Sequence, residues 1–533
     1  MYIIKFMKTK YISAKILFAL LTTILFFNTA YSQLVNDFKV NDDIGSAYQN
    51  LSKVEVDTAG NFVVVWQDQR NISGNDPKYD VYFQRYNFRG EPQGVNYKIN
   101  QVDSAAACPN VVMRKDGSFV VSWWEGVWVG QYLDFGKFYV RIFNKFGNPI
   151  SNRIAISDST HYYVYDEIAE ISVNSLSEII AVMTISPTMY DHPNIYLQKL
   201  DASGNKIGMN EKVNDDASLL FDQRDPDITI REDNSYIIVW DDNRLHNGAE
   251  QDIFMQKYYS NGQKNGINIK VNSDIPPCPH LVPKISSDSS GRFAVVWDDS
   301  RESSGSFMDV YCQFFNSDGS FDGSNFRVCY GFQWDRWRPA IKKRRDGYFV
   351  IGWADQNANG HNWCPFFVRY SNSNQVIGYQ HTVTNFNPAQ TKTFGGMTLW
   401  KDRIISTWTE YRNGNGDIFC NIISFTNPDS VISSVHYNNE IKSKKSLLSQ
   451  NYPNPFNGLT KISYRIESNA FVRISIYNIL GKEVTILVNG FHNTGSYVTS
   501  LSIDAINLST GLYFYKIFTN EEFKEVKKLV IIK

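Results

Sequence analysis

Cysteine is scarce in this chain, with six residues in 533. So few cysteines in so long a chain exclude a disulfide-dense scaffold, and no Cys-x-x-Cys pair offers the usual spacing of a zinc or redox site. A dominant sign of charge is also missing. Lys and Arg total 53 against 54 Asp and Glu, a formal net charge of −1, which argues against a nucleic-acid partner or a polybasic membrane patch. Familiar catalytic motifs are absent: there is no G-x-S-x-G, H-E-x-x-H, Walker A or EF-hand loop. The eight His are scattered without ligand spacing. Ser287-Asp288-Ser289-Ser290-Gly291 matches an Asp-box only in part. The sequence therefore implies no cofactor and no metal.

Long hydrophobic runs are equally few. The first 32 residues read as a signal peptide: Lys5, Lys8, Lys10 and Lys15 precede an apolar run from Ile16 to Phe27, and Ala30-Tyr31-Ser32 places small residues for cleavage before Gln33. A run of about 12 residues is short of the roughly 20 needed to span a bilayer. No later segment is long and apolar enough, so no transmembrane anchor is expected in the mature chain.

What is abundant is β-strand material: 43% of the residues are hydrophobic and 15% aromatic. An "FVVVW" motif recurs at Phe62–Trp66, Phe119–Trp123, Ile179–Met183, Tyr236–Trp240, Phe293–Trp297, Phe349–Trp353 and Arg403–Trp408. The interval is about 57 residues, which marks stacked supersecondary units. The fourth repeat shows the plan. Pro226–Ile230 is a first strand, Tyr236–Trp240 a buried second, Asp252–Tyr258 an alternating third and Asn268–Asn272 a fourth, with Asp233-Asn234 and Asn261-Gly262 as turns. Four strands per unit and seven units predict an all-β chain with a seven-bladed β-propeller over residues 33–425. The seventh repeat lacks its Lys-Val-Asn strand, and a spare copy precedes the first at Phe38-Lys39-Val40-Asn41. Residues 38–41 are therefore expected to complete the last blade and remove an open edge. Cys108 and Cys278, each before Pro, read as equivalent positions, as do Cys312 and Cys420. Non-adjacent repeats lie too far apart to bridge, so buried thiols are expected.

Alternating strand direction puts the long loops, after second and fourth strands, on one face, where binding groups usually sit. A W-x-D-x-R pattern recurs there. Asp68 and Arg70, Asp242 and Arg244, and Asp299 and Arg301 supply it, with Glu410 and Arg412 as a variant. The same repeats open their third strands with Asp80, Asp252, Asp309 and Asp417. Recurrence in four repeats favours structural ion pairs over a ligand site, since a guanidinium fork suits a carboxylate. Deviant repeats are better places for a unique site. Trp124 and Trp128 of the second, Tyr163 and Tyr165 before the third, and Trp334, Arg336, Trp337 and Trp363 of the sixth are candidate ligand-binding residues. Aromatics and Arg on loops suit sugar stacking or a protein hot spot. The competing reading is that they plug the axis or cover blade joints.

Composition changes after about residue 425. Residues 426–445 are polar and read as a linker. Beyond them come Asn451-Tyr452-Pro453-Asn454-Pro455-Phe456-Asn457, Val472–Val484, Gly495-Ser496-Tyr497, Ser509–Tyr515 and Lys527–Lys533. Residues 446–533 thereby resemble the type A C-terminal sorting domain of the Bacteroidetes type IX secretion system. Gly458-Leu459 departs locally from the family, which more often has Pro-Ser there. Alternating strands at Ile462–Ile466, Val472–Asn478 and Leu512–Phe518 fit a small Ig-like β-sandwich. The resemblance implies handling by the type IX machinery and secretion or display at the outer-membrane surface. The expected function is a secreted propeller that binds an extracellular glycan or protein without catalysis. The alternative is a propeller glycoside hydrolase or polysaccharide lyase. A buried, convergent acid pair at the mouth of the axis would favour the enzyme, whereas exposed aromatics beside satisfied ion pairs favour binding.

Overall fold

The computed structural model describes residues 32–71, 78–101, 104–129, 132–162, 168–186, 192–216, 220–245, 250–273, 278–301, 307–329, 335–344, 347–356, 363–371, 373–382, 391–412, 414–424, 448–466, 470–479, 482–503, 508–519 and 522–532. Side chains at 32–34, 128–129, 132–134, 161–162, 378–381 and 522–524 are not described. The expected signal peptide and linker therefore lie outside the described residues. Two compact units emerge, one within Met1–Val435 and one within His436–Lys533.

In the first unit, the unbroken apolar motif forms the second strand of each sheet. Phe62–Asp68, Tyr236–Asp242 and Phe293–Asp299 are buried at every residue. A strand covered on both faces must be apolar along its whole length, which is why alternation is lost there and kept in the flanking strands. Seven antiparallel sheets result among the described residues. Their first strands are Gln49–Val56, Ala105–Met113, Glu170–Val173, Gln223–Ile230, His280–Ser287, Arg336–Lys343 and Lys392–Trp400, numbered here as blades 1 to 7. Each first strand packs beside the next, and the seventh returns to the first. The ring is a β-propeller with the first strands around its axis. Six of its buried Trp side chains (Trp66, Trp123, Trp240, Trp297, Trp353 and Trp408) recur at the end of the motif with no exposed surface. Each contributes on the order of 2–3 kcal/mol of burial.

Ser32–Lys39 is the outer strand of blade 7, with Phe38 opposite Cys420 and Lys39 opposite Phe419. Asn41 continues the contact: its Nδ2 donates to Asp417 Oδ1 at 2.9 Å, and its Oδ1 accepts the Ile418 N–H at 2.8 Å. Asn100 on Asp80 and Val81, and Asn272 on Asp252 and Ile253, make the same two bonds inside blades 1 and 4. The two chain ends of the ring thus meet through chemistry that single blades use internally.

None of the six cysteines forms a disulfide, and all are buried. The assumed equivalence of Cys108 and Cys278 needs correction. Cys108 is a bulge residue in the first strand of blade 2, at φ 53°, and its counterpart in blade 5 is Val282, at φ 51°. Cys278 lies four residues earlier. Both local sequences continue with Pro, and that coincidence hid the offset.

The second unit pairs Leu459–Ile466 with Gly495–Ser502, and sets Glu483–His492, Ala470–Asn478, Gly511–Thr519 and Glu522–Ile531 in a four-stranded sheet. Its core includes Leu448, Phe456, Ile462, Val472, Ile474, Tyr515 and Leu529. The Asn-Tyr-Pro-Asn-Pro-Phe run has a structural explanation. Buried Asn451 takes the Tyr515 hydroxyl on its N–H (2.7 Å) and donates from its side chain to Thr460 (3.0 Å), while Asn454 accepts the Val530 N–H (2.8 Å).

Candidate functional site

The recurrent polar pattern on the long-loop face is a clamp built by three groups. In blade 1 the Trp66 indole N–H donates to Asp68 Oδ2 (2.8 Å), and Arg70 donates to the same carboxylate from Nε (3.0 Å) and Nη2 (2.8 Å). Trp240–Asp242–Arg244, Trp297–Asp299–Arg301 and Trp408–Glu410–Arg412 repeat it. Each guanidinium also lies over a ring of the third strand: Tyr82 at 4.5 Å, Phe254 at 4.7 Å, Tyr311 at 4.3 Å and Phe419 at 4.0 Å. Arg70 and Arg244 reach on to Asp42 and Asp215, which follow the outer strand of the preceding blade. These groups are occupied by one another.

Two deviant repeats keep the clamp with its arginine moved. In blade 2, Trp123 donates to Glu125 (3.1 Å), and Arg153 supplies the guanidinium and lies over Tyr139. In blade 6, Trp353 and Arg336 share Asp355 (3.3 and 2.9 Å). Sequence spacing missed both; the remaining signal was a W-x-D/E step without its local Arg. The third-strand acids serve a different bond from the one expected. Asp80, Asp252 and Asp417 hold the Lys of the outer strand (Lys98, Lys270 and Lys39) at 2.8, 2.6 and 2.8 Å, and Asp309 holds Arg327 and Arg336.

Around the axis the first strands carry a charged network. Lys284 Nζ meets Glu170 Oε1 at 2.6 Å, Asn110 donates to Glu170 Oε2, and Lys342 Nζ meets Glu55 at 2.5 Å. These side chains are only partly exposed, with much of each packed against neighbouring strands. Burial therefore lowers the Lys53 ammonium to about 8 and raises the Asp227 carboxyl to about 6, the latter against the pull of Lys284. Glu170, although burial acts to raise it, is held below its usual range by Lys284 and Lys53.

At the long-loop mouth of the axis the first strands bulge. Leu51, Cys108, Asp225, Val282 and Arg338 all sit at φ between 49° and 55°, in the left-handed region. A side-chain acceptor from the preceding blade braces the bulge N–H: Gln67 for Cys108 (3.1 Å), Asp241 for Val282 (3.4 Å) and Asp298 for Arg338 (3.2 Å). Gln67, Asp241 and Asp298 are the middle residues of the W-x-D step. Burial raises the Asp241 and Asp298 carboxyls well above their usual range. The neighbouring Asp225 carboxylate adds to the shift of Asp241, while Arg338 opposes that of Asp298. Arg338 also lies within electrostatic reach of Tyr48, whose hydroxyl pairs with Tyr411 at 2.9 Å. A recess of 870 Å³ opens beside Tyr48, lined by Asp42–Tyr48, Gln69 and Arg70.

The candidate ligand residues divide sharply. Trp124 is fully buried, and its indole covers the paired Gly126 and Gly136 so closely that a methyl at either would overlap it. It is therefore a core residue, and it explains the glycines of that repeat. Arg336 is buried in ion pairs with Asp309 and Asp355, which corrects its reading as a ligand contact. The Trp128 side chain, Tyr163, Tyr165 and Trp334 lie outside the described residues. Trp337 is 45% exposed and meets Trp363 edge to face, 5.7 Å between centroids at 78°. Both stand at the long-loop end of blade 6, next to Arg338.

The described fold and the mouth of its axis define a propeller with a separate C-terminal sandwich. Residues 450–532 match the family described as the secretion system C-terminal sorting domain. The chain is thus a β-propeller protein carrying a sorting domain of the type IX secretion system, and that domain implies export to the exterior or the cell surface. No curated protein matches the chain significantly. Among solved structures it is similar to a protein of unknown function from Dyadobacter fermentans (8% identity, TM-score 0.43, 74% of this chain and 99% of that one). It is also similar to an α-L-arabinofuranosidase from Fusarium graminearum solved with an iminosugar inhibitor (10%, 0.42, 74% and 98%). A third is the β-propeller domain of the Trilobed protease from Pyrococcus furiosus (9%, 0.41, 73% and 98%).

Proposed function

We propose that the exported propeller binds an extracellular glycan at the long-loop mouth of its axis, without catalysis. The observation that carries this reading is the half-exposed Trp337 braced by Trp363 beside Arg338. A rigid aromatic face next to a cation and carboxylates suits the apolar face and hydroxyls of a sugar. The ion pairs of the clamps are satisfied within the protein, so they add no reactive groups. The acids at the mouth have a structural role as well. Asp241 and Asp298 each brace a bulge N–H as Gln67 does. The glycosidase reading keeps the convergent acids Asp225 and Asp241 at the mouth, where burial makes Asp241 hold its proton unusually tightly.

A glycan array run beside a panel of polysaccharide hydrolysis assays tests the proposal. The expected result is binding to one glycan class, lost tenfold or more in Trp337→Ala and retained in Asp241→Asn, with no turnover. Hydrolysis abolished by Asp241→Asn would replace binding by catalysis. The further expectations of this reading are cleavage of the leader before Gln33 and a mature surface or released form, both readable by terminal sequencing of the exported protein.

A further inference from the structure

We propose that a neutral saccharide unit binds in the crevice between blades 1 and 2 on the short-turn face, with Phe146 as its stacking platform. This face lies opposite the mouth of the axis, so the site is separate from the one proposed above. The crevice measures 380 Å³, within the range of about 300–1,000 Å³ usual for small-ligand pockets. Elsewhere in the ring a cation crosses this place. In blades 2 and 4 the residue that opens the first turn is arginine: Arg114 donates to the Ala202 carbonyl of the next blade (2.9 Å) and Arg231 to that of Ser317 (2.6 Å). Between blades 5 and 6, Lys343 enters from the other side, 2.7 Å from Asp288 and over the Phe349 ring. By the same turn and strand register, blade 1 has Asp57 at the arginine position and blade 2 has Met113 at the Lys343 position. Asp57 turns back onto the Ala59 and Asn61 N–H groups instead of crossing (2.9 and 2.8 Å), and the crevice results.

Phe146 is the second departure from the repeat. The turns between third and fourth strands share one pattern of backbone hydrogen bonds. The residue equivalent to Phe146 is Arg89, Ser203, Asn261, Asp318 and Ser373 in blades 1, 3, 4, 5 and 6. Among these described turns, blade 2 alone carries an aromatic ring, 66% exposed on the rim of the crevice. The turn holds it in place: Asn144 Oδ1 accepts the N–H of Phe146 (2.9 Å) and of Asn148 (3.0 Å), and Arg85 donates to the Phe146 carbonyl. A fixed, solvent-facing ring beside a pocket suits the apolar face of a sugar.

The polar lining selects the class of ligand. Phe62 and Phe119 give the crevice a buried apolar base, and its exposed rim carries both signs of charge. Asp116 uses Oδ1 for the Ser118 N–H and hydroxyl (2.9 and 2.6 Å) and keeps Oδ2 for another donor. Asp57 Oδ2 takes the Asn61 amide (2.9 Å) and has a second lone pair to offer. Lys115 and Arg85 have no acid partner among the described residues, and burial accordingly lowers the Arg85 pKa unopposed. Lys145 lies over the Phe146 ring at 5.3 Å. These cations oppose a cationic ligand, and the carboxylates oppose an anionic one. A sugar hydroxyl donates to a carboxylate and accepts from an ammonium or guanidinium at once, so a neutral polyol ring satisfies both.

Affinity electrophoresis of the full-length secreted chain, in gels containing xylan, mannan, starch or a β-glucan, tests the site. Phe146→Ser installs the residue that blades 3 and 6 use in the same turn, so it preserves the fold. Asp57→Arg installs the arginine of blades 2 and 4 and fills the crevice. Both are made in the wild type and in Trp337→Ala, which separates the two faces. Trp337→Ala is expected to keep a residual retardation by at least one polysaccharide, and either crevice substitution in that background to weaken it a further tenfold or more. Retardation that vanishes in Trp337→Ala alone leaves the mouth as the binding site and overturns the crevice. Retardation of Trp337→Ala that survives Phe146→Ser overturns it too, as does a wild type that no gel retards. Retardation lost in Phe146→Ser and kept in Trp337→Ala upholds the crevice and counts against the mouth.

Discussion

A buried carboxylate recurs in this molecule as the point where neighbouring groups meet. Asp242 accepts the Trp240 indole N–H and the Arg244 fork with no exposed side-chain surface of its own. Removing it in Asp242→Ala leaves a bare indole N–H and takes from Arg244 its fully buried partner, with Asp215, Asp216 and Asn268 left to it, and the expected loss is about 3 kcal/mol in urea denaturation. Trp337→Ala, in the half-exposed pair, is expected to cost far less stability. Lys53 shows the cost of charge in the axis. Its folded value of about 8 lies below the ordinary 10.5. Between those values the unfolded chain holds more protons than the folded one, so stability rises with pH across that window. Below pH 8 both states are protonated, and the penalty of the buried charge is fully present and constant. Lys53→Met removes that penalty. Its stability advantage over the wild type is expected to be flat below pH 8 and to shrink from pH 8 to 10.5, as read from denaturation midpoints at each pH.

Among the elements, the outer strand of blade 7 carries the most weight per residue. Ser32–Lys39 covers the edge of Asp417–Ser424, an edge that would otherwise offer free N–H and C=O groups to other chains. Asn41 anchors it in a buried pair of hydrogen bonds. Asn41→Ala is expected to lower stability by about 2 kcal/mol and to speed aggregation on mild heating, measured by light scattering beside an Asn100→Ala control. In the control, the same bonds are lost inside blade 1 while the ends of the ring stay joined. Aggregation that rises equally in both variants counts against a special role for the latch.

The whole molecule is two compact units with separate cores, one in the ring and one in the sandwich. Calorimetry of the mature chain is expected to show two transitions. Truncation after Val435 should delete one and leave the other within about 2 °C. A single transition that shifts on truncation would show that the units stabilise each other. The sorting domain fixes the address of the protein, and the function proposed for the ring concerns its mouth alone.

Periodicity is a local property, and it made most of the ring legible: each repeat must bury its second strand, so an apolar run related to Phe-Val-Val-Val-Trp appears seven times. The spare Phe-Lys-Val-Asn copy and the Asn-Tyr-Pro-Asn-Pro-Phe run were visible for the same reason, since both are contiguous in the chain. Contacts between distant residues were not legible. Arg153, just ahead of the outer strand Ile154–Ala155, and Arg336, at the start of a first strand, enter clamps from positions that no fixed spacing links to Trp123 and Trp353. Trp124 looked like a surface aromatic because its Gly126–Gly136 floor spans two strands. Sequence alone therefore determined the strand pattern, the number of repeats and the exported class. Tertiary structure decided which polar groups are spent on one another and which remain for a ligand, because burial and partnership arise only where separate strands come together.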